Sequence, residues 1–474
     1  MDRISRPISQ NWLSDISDAL VYTERQLSPV VQVESIGEEN TSTPYYSDET
    51  GSITYSNTPA IRQYESPLSI ICSQSPFQHL KSIDQHLLRH FIRVVSRTLS
   101  VVHEDDLNPF LNLIVPLAGS SKVVQESLLA LSACHLRRIY PEVLQRGLSH
   151  QNEALASLSN LIGTKSPNSS EETLAAILLL CMIEICDGNS TKWSWHIQAA
   201  QTIIRSKQKD LGCNSSTWRF LLAVFGYVDS VITISKCQAP LISPEELVGD
   251  RDTSSNIESS QRPLTPISKS HNEALFGIAL PLFTLIGQIS ELAHRRKDRV
   301  DEISELWFRQ SATRIQTSLR SWKPDLHTSK GIGSHTSQDL IDAAYAIQWA
   351  SILRLHQVVE GYNRSDYDVV ESTAKILEHI SRIRFGSPAE SILIFPLVMA
   401  GSGCQDKEQR MMVRERWMVM ERTIGFDNIY RARQMVEAVW KEVDEGQIDG
   451  TNAGGLKVNW ARIRYYDFPG VVLL

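Results

Sequence analysis

From Ser169 to Gly188 the chain reads SSEETLAAILLLCMIEICDG. Ser169 and Glu172 have the spacing of a capping box for a helix over 171–186. That helix is apolar nearly all the way round, which marks a central, buried helix. Its apolar run, Leu174 to Ile183, is too short to span a bilayer and is closed by Glu184. Asp187-Gly188 ends it, and Ser190 starts a following helix that carries Trp193 and His196. An ionised Glu184 at the end of so apolar a helix needs a partner. The structural reading pairs it with His196, with the indole NH of Trp193 or Trp195, or with a nearby helix N-terminus; the functional alternative is a ligand or effector contact.

Helical periodicity extends to both sides. Leu80, Ile83, Leu87, His90 and Val94 form a stripe over about 79–99. Past the Asn108-Pro109-Phe110 turn and Pro116, Ser121 stands as the cap of a helix with Val124, Leu128, Leu131 and His135 inward. Pro141 breaks it, and the next stripe is Leu144, Leu148, Leu155, Leu158 and Ile162. A helix over about 215–237 follows. Then come 272–297, kinked by Pro281, and 300–321, 338–361, 367–384, 388–401, 406–424 and 428–443. In the last two, Val413, Trp417, Met420 and Ile424 form one stripe, stopped by Gly425, and Ile429, Ala432, Val436 and Val439 the next, capped by Asp427. No strand run of comparable length appears. The fold class is all-α, a multi-helix domain built by helical-hairpin packing.

Residues 1–75 are rich in Ser, Thr, Tyr, Glu and Asp without sustained periodicity, which predicts a disordered segment, with Leu13–Leu27 as a possible short helix. Residues 76–474 are then the helical domain, interrupted by a flexible linker at about 239–271, where four prolines stand among many serines. The formal net charge of -7 argues against a chain that coats nucleic acid. Seven widely spaced cysteines without an apolar signal core predict reduced thiols in a soluble intracellular protein with no membrane span.

The motifs of chemistry are missing. There is no C-x2-C pair, no H-E-x-x-H, no phosphate-binding glycine loop and no G-x-S-x-G. Gly401-Ser402-Gly403 follows a helix and reads as a helix stop. His86 and His90 are four apart, yet no third ligand is evident, so no metal, cofactor or catalytic residue is assigned. His135, on an apolar stripe, reads as a hydrogen-bonded core histidine. The basic run His294-Arg295-Arg296-Lys297-Asp298-Arg299 reads as a solvated helix end; as a phosphate contact it would be weak and unspecific.

From Leu87 onward the sequence resembles the fungal-specific transcription factor domain of the second type. The resemblance rests on Leu87-Leu88-Arg89-His90-Phe91, Asn108-Pro109-Phe110, Pro116-Leu117-Ala118, Ala130 to Leu136, His150, Glu184, Asp187-Gly188, Trp193 and His196. It resumes with Phe395-Pro396-Leu397, Ala400-Gly401, Arg410, Gly425-Phe426, Arg431-Ala432 and Val439-Trp440, where Pro396, Gly401 and Trp440 are the most distinctive. Ala199 departs from a position where the family often has glycine. The resemblance implies a nuclear regulator of transcription, secondary metabolism among the processes it can serve, and structural roles for these motif residues. Its implied partners are other transcription regulators or co-regulators, a second copy, and a small-molecule effector. The family reads DNA through a six-cysteine zinc cluster ahead of this domain; here none precedes it. Either the reading frame begins downstream of such a cluster, or the regulator reaches DNA through a partner. The alternative from another class is a metabolic enzyme or ligand-binding accessory protein on the same helical scaffold, which an open pocket with polar groups of perturbed pKa would favour.

Overall fold

The computed structural model describes residues 77, 79–102, 104–164, 170–208, 215–242, 272–324, 334–448 and 457–473. The expected disorder of residues 1–75, the short helix expected at Leu13–Leu27, the expected Ser169 cap and most of the expected linker, residues 243–271, fall outside the described residues. The helices belong to one compact unit, His79–Leu474, the second of two into which the chain divides. No strand occurs among the described residues.

Helix α1 starts as Ser82–His90, passes through a π turn at Phe91–Val95 and ends at Ser96–Thr98. A second π turn, Phe110–Ile114, opens α2, which continues as Val115–Ser120. Then follow α3 (Lys122–Leu136), α4 (Val143–Thr164), α5 (Ser170–Asp187), α6 (Trp193–Gln208) and α7 (Ser216–Lys236). Beyond residue 271 lie α8 (Leu280–His294), α9 (Glu302–Ser321), α10 (Ser334–Val359), α11 (Tyr367–Arg382), α12 (Ile394–Gly403), α13 (Lys407–Thr423), α14 (Asp427–Ile448) and α15 (Trp460–Asp467). Neighbours in sequence pack as hairpins, most closely α3 with α4, α5 with α6 and α10 with α11.

Helix α5 is the axis of the N-terminal half. Every residue from Thr173 to Cys186 is buried, and it touches α3, α4, α6, α7 and α14. An all-round apolar helix has no face to give to solvent, so its neighbours surround it. The stripes on α13 and α14 also pack inward: Val413, Trp417, Met420, Ile429, Ala432, Val436 and Val439 are buried. Gly425 ends the α13 region with φ +80°, a conformation open to glycine at little cost.

Two stripes are rotated from the expected face. On α1 the buried residues are Asp84, Leu87, Leu88, Phe91 and Val95, while Ile83 is exposed. On α4 they are Val143, His150, Ala154 and Leu158, while Leu144 and Leu148 are exposed. Both rotations have one cause. Asp84, Arg146 and His150 form a linked polar cluster between α1 and α4, and satisfying it fixes how each helix turns. Gly147 assists, because a Cβ there would lie 2.8 Å from the Ala133 Cβ, so α4 comes close to α3 along its glycine edge.

Local chemistry also differs at three points. Ser121 stands at the α3 N-cap position, but its hydroxyl donates to Glu172 Oε2 (2.9 Å) and caps no amide. The 272–297 segment is broken at Gly277, where φ is +55°, and α8 starts afresh with Pro281 in its first turn. Gly401, Ser402 and Gly403 lie within α12, which ends only at Gly403. By length and composition alone, α7 and the stretch Asn272–Asp298 are apolar enough to cross a membrane; each is 61% buried among its neighbours.

Candidate functional site

The motif residues gather where the N-terminal helices meet the start of α14. Between α1 and α2, buried Asn108 donates through Nδ2 to the Ser96 carbonyl (2.9 Å) and accepts through Oδ1 from the Phe110 amide (3.0 Å). Pro109, which has no N–H to leave unpaired, begins the next helix. Phe110 then stands edge-on to Phe220 of α7, with ring centres 5.1 Å apart.

His135 of α3 lies 2.8 Å through Nε2 from the Ile424 carbonyl, so that nitrogen donates. Its Nδ1 is left to accept from His90 Nε2 at 3.0 Å, and Phe426 packs edge-on against the ring at 4.8 Å. Burial, with the neighbouring His135 and His86, pushes the His90 pKa down to about 4. Burial lowers that of His135 too. Both rings are neutral near pH 7, and a chain of hydrogen bonds runs from α1 through α3 to the α13–α14 turn. His90 is therefore turned toward His135 and does not pair with His86.

Asp187 and Gly188 dock on the first turn of α14. Arg137 pairs with Asp187 and, at 2.6 Å, with Asp427, which Arg138 also reaches at 3.3 Å. Asp427 is the first residue of α14, and its carboxylate serves this cluster. A Cβ on Gly188, whose φ is +72°, would lie 2.9 Å from the Asn428 Cα. Only glycine admits so close an approach in that conformation.

Phe110, Ile424, Phe426 and Asn428 from these contacts also line a cavity of about 40 Å³, together with Cys186, Tyr227, Ile394 and Ile429 among others. Burial raises the Cys186 thiol and the Tyr227 phenol above their ordinary ranges, so both stay neutral. Sites for drug-sized ligands are on the order of 300 Å³ or more. This space holds one or two waters or a few apolar atoms.

Glu184 takes none of the partners expected for it. Its Oε1 accepts from Gln151 Nε2 of α4 at 2.8 Å. The Trp193 indole N–H is buried with no acceptor, and Lys236 Nζ sits 4.5 Å over the ring, a cation–π contact. Burial pushes the His196 pKa down to about 4, although part of the residue's surface remains accessible. Trp195 is exposed. Of the C-terminal motif residues, Gly401 and Trp440 form a separate contact. Trp440 of α14 donates to the Gly401 carbonyl of α12 at 2.8 Å, and Pro396 is buried in the first turn of α12.

Sequence reading missed the most chemically suggestive constellation. His150 places Nδ1 2.5 Å from Glu126 Oε2 and Nε2 3.1 Å from Asp84 Oδ1, and Arg146 closes the group on Asp84. Burial alone would raise the Asp84 pKa, but hydrogen bonds from Arg146 and His150 outweigh it and hold the carboxyl low. A histidine between two carboxylates suits proton transfer. Here His150 is 1% exposed and the two acids 3% and 6%, so no substrate reaches them. The group ties α1, α3 and α4 together. Its traces in the sequence are His150, one of the residues that carry the family resemblance, and Asp84, which shares a helix face with Leu87, Leu88 and Phe91.

Among the described residues no three His, Cys, Asp or Glu side chains are placed to hold a metal ion. Cys134, Cys181, Cys186, Cys237 and Cys404 are free thiols. Of the basic run, Arg295 pairs with Glu291 and Arg299 with Glu305.

Residues 86–466 match the fungal specific transcription factor domain. The chain is similar to Transcriptional activator protein UGA3 of Saccharomyces cerevisiae, 20% identical over 407 residues that cover 78% of this chain and 75% of that protein. It is also similar to Sterol uptake control protein 2 of Candida albicans, 26% identical over 149 residues, 29% of this chain and 21% of that one. No solved structure matches. With the greater part of its length matched, and its motif residues spent on joining helices, the chain belongs to the family defined by the fungal specific transcription factor domain.

Proposed function

We propose that this domain is the control region of a fungal transcriptional regulator, acting in the nucleus through contacts with other transcription regulators or co-regulators and breaking no bond itself. The observation that carries the reading is the match of residues 86–466, which takes in nearly every described helix. The small central cavity agrees with it, since it is largely apolar and holds no group titrating near neutrality. A small-molecule effector would have to widen this cavity to bind. Two of the four cations in the 294–299 run are already paired, so DNA contact belongs to another module or a partner. Kinship with a protein named a transcriptional activator makes activation the favoured direction of control.

The test tethers the chain to an unrelated DNA-binding module upstream of a reporter in a fungal host. Reporter transcription is expected to rise several-fold over the module alone. An unchanged reporter, in both activation and repression formats, overturns the proposal. So does substrate turnover by the purified chain that is lost on replacing one polar side chain. In a gel shift at physiological salt, the chain alone is expected to show no sequence-selective DNA binding.

A further inference from the structure

The free thiols among the described residues are of two kinds. Cys134, Cys181, Cys186 and Cys404 are buried, and burial pushes every one of them up, Cys134 and Cys404 to about 12. A thiol so placed keeps its proton and meets no reagent. Cys237 alone of this set reaches the surface. It follows α7 directly with φ +54°, in the position where glycine or asparagine usually ends a helix. Among the described residues it is the one non-glycine residue with a positive φ.

The sulfur of Cys237 lies against a buried guanidinium. Arg354 of α10, only 5% exposed, donates through Nη2 to Cys237 Sγ and through Nη1 to the Tyr362 hydroxyl oxygen, each at 2.8 Å. The ring of Trp460 in α15 covers the guanidinium at 5.0 Å. Arg464 of α15, 3% exposed, donates to the carbonyls of Pro469 and Val471. Among the described residues no carboxylate pairs with either arginine. A buried cation without a counter-charge is costly, so these two call for an anion. Burial would lower the Arg354 pKa, yet the Cys237 sulfur and Tyr362 outweigh it and hold the guanidinium above its ordinary range. Burial brings Arg464 down to about 10, and the same sulfur opposes that fall. Of the two ionisable groups that Arg354 touches, a thiol gives up its proton more readily than a phenol.

We infer that Cys237 is a site of oxidation by hydroperoxides, its sulfur held as the thiolate by Arg354 and converted to a sulfenate that the same guanidinium retains. The thiolate is the nucleophilic form of cysteine, and a cation beside it favours that form. Arginine suits this reagent better than a soft carbon electrophile. An N–H that donates to the sulfur can pass to the oxygen newly bonded to it, and the sulfenate stays paired as an anion. In the step, the thiolate lone pair attacks one peroxide oxygen, forming the S–O bond as the O–O bond breaks. The proton of the attacked oxygen goes to the departing hydroxide, which leaves as water. Sulfur is oxidised by two electrons and the peroxide is reduced by two. The inference stands whether or not the domain regulates transcription.

Two measurements on the full chain test this, each read by peptide mass spectrometry at Cys237. Alkylation by iodoacetamide at pH 6.5 is compared between the native chain and the chain unfolded in urea. A thiolate held by Arg354 should react about tenfold faster in the native chain, whereas a thiol that is only half-exposed should react more slowly there. Dilute hydrogen peroxide, with dimedone to trap the sulfenate, should label Cys237 about tenfold faster than any of the four buried cysteines. Arg354→Met should remove most of the native advantage in both assays and Arg354→Lys should keep part of it, with circular dichroism as the check on folding. If Arg354→Met does not fold, the native-to-unfolded comparison of the wild type decides alone. A native alkylation rate equal to or below the unfolded rate overturns the inference. So does peroxide labelling of Cys237 no faster than that of the buried cysteines, or a folded Arg354→Met chain that reacts like the wild type. None of these results bears on the reporter assay.

Discussion

The indole Nε1 of Trp440 donates to the carbonyl of Gly401 at 2.8 Å, across a crossing so close that a Cβ on Gly401 would lie 2.5 Å from Val436 Cγ1. The glycine lets α12 and α14 approach, and that approach brings the indole within reach of a helix carbonyl. Arg410 and Arg414 cover the indole ring from outside, at 5.5 and 5.2 Å.

Gly401→Ala should therefore destabilise the domain by about 1–3 kcal/mol through overpacking. Adding Val436→Ala to it should recover part of that loss, because the incoming methyl then finds room. Urea unfolding of both single variants and the double variant measures the coupling; additive losses would refute it.

Arg416 and Glu390 form a buried ion pair, 3.0 Å apart and 4% and 1% exposed. Arg416 also donates to the carbonyls of Ile380 and Ile383, and Glu390 accepts from Thr423. Arg416→Met should cost about 3–5 kcal/mol, because it strands a buried carboxylate. Arg416→Met/Glu390→Gln should be clearly more stable than the single variant, as read by thermal melts at neutral pH.

Asp229 of α7 is buried and accepts through Oδ2 from the Leu241 and Ile242 amides, at 2.8 and 3.4 Å. Burial outweighs these bonds and pushes its pKa up to about 7 from 3.8. The folded protein therefore holds a proton that the unfolded chain has lost. The stabilisation this gives is complete below pH 4 and disappears as pH rises through 7. Asp229→Asn should become more stable relative to the wild type as pH is raised from 5 to 8. A stability difference that is flat across that range would contradict the raised pKa.

His90 and His196 act in the opposite sense. Each has a folded pKa of about 4, held down by burial, against 6.5 in the unfolded chain. Their contribution is complete above pH 6.5 and is lost as pH falls through 4, because the unfolded chain then binds protons that the folded one refuses. Each adds a slope of at most ~1.4 kcal/mol per pH unit inside that window. His90→Gln should reduce the loss of stability between pH 6.5 and 4 when denaturant midpoints are compared across pH.

The helical class, the buried axis at α5 and the inward stripes of α13 and α14 were all legible before folding was considered. Their apolar residues are numerous enough to leave only one face, or no face, for solvent. Helix α15 escaped notice because it is short, and only Trp460, Ile463 and Arg464 within it are buried. The sequence marks the motif residues but not the partners they take. Glu184 finds Gln151 on α4 and not a group on the adjoining α6. His135 finds Ile424, 289 residues away.

Periodicity along the chain thus determined where helices form and which one lies at the centre, since apolar spacing and capping are local properties. It did not determine how α1 and α4 turn about their axes. Their leucines pointed one way, and Asp84, Glu126, Arg146 and His150 required another. A buried charge without its partner costs more than a leucine left at the surface. That choice exists only once three helices have come together, which is why the tertiary structure alone decided it and left the leucine face of α4 open.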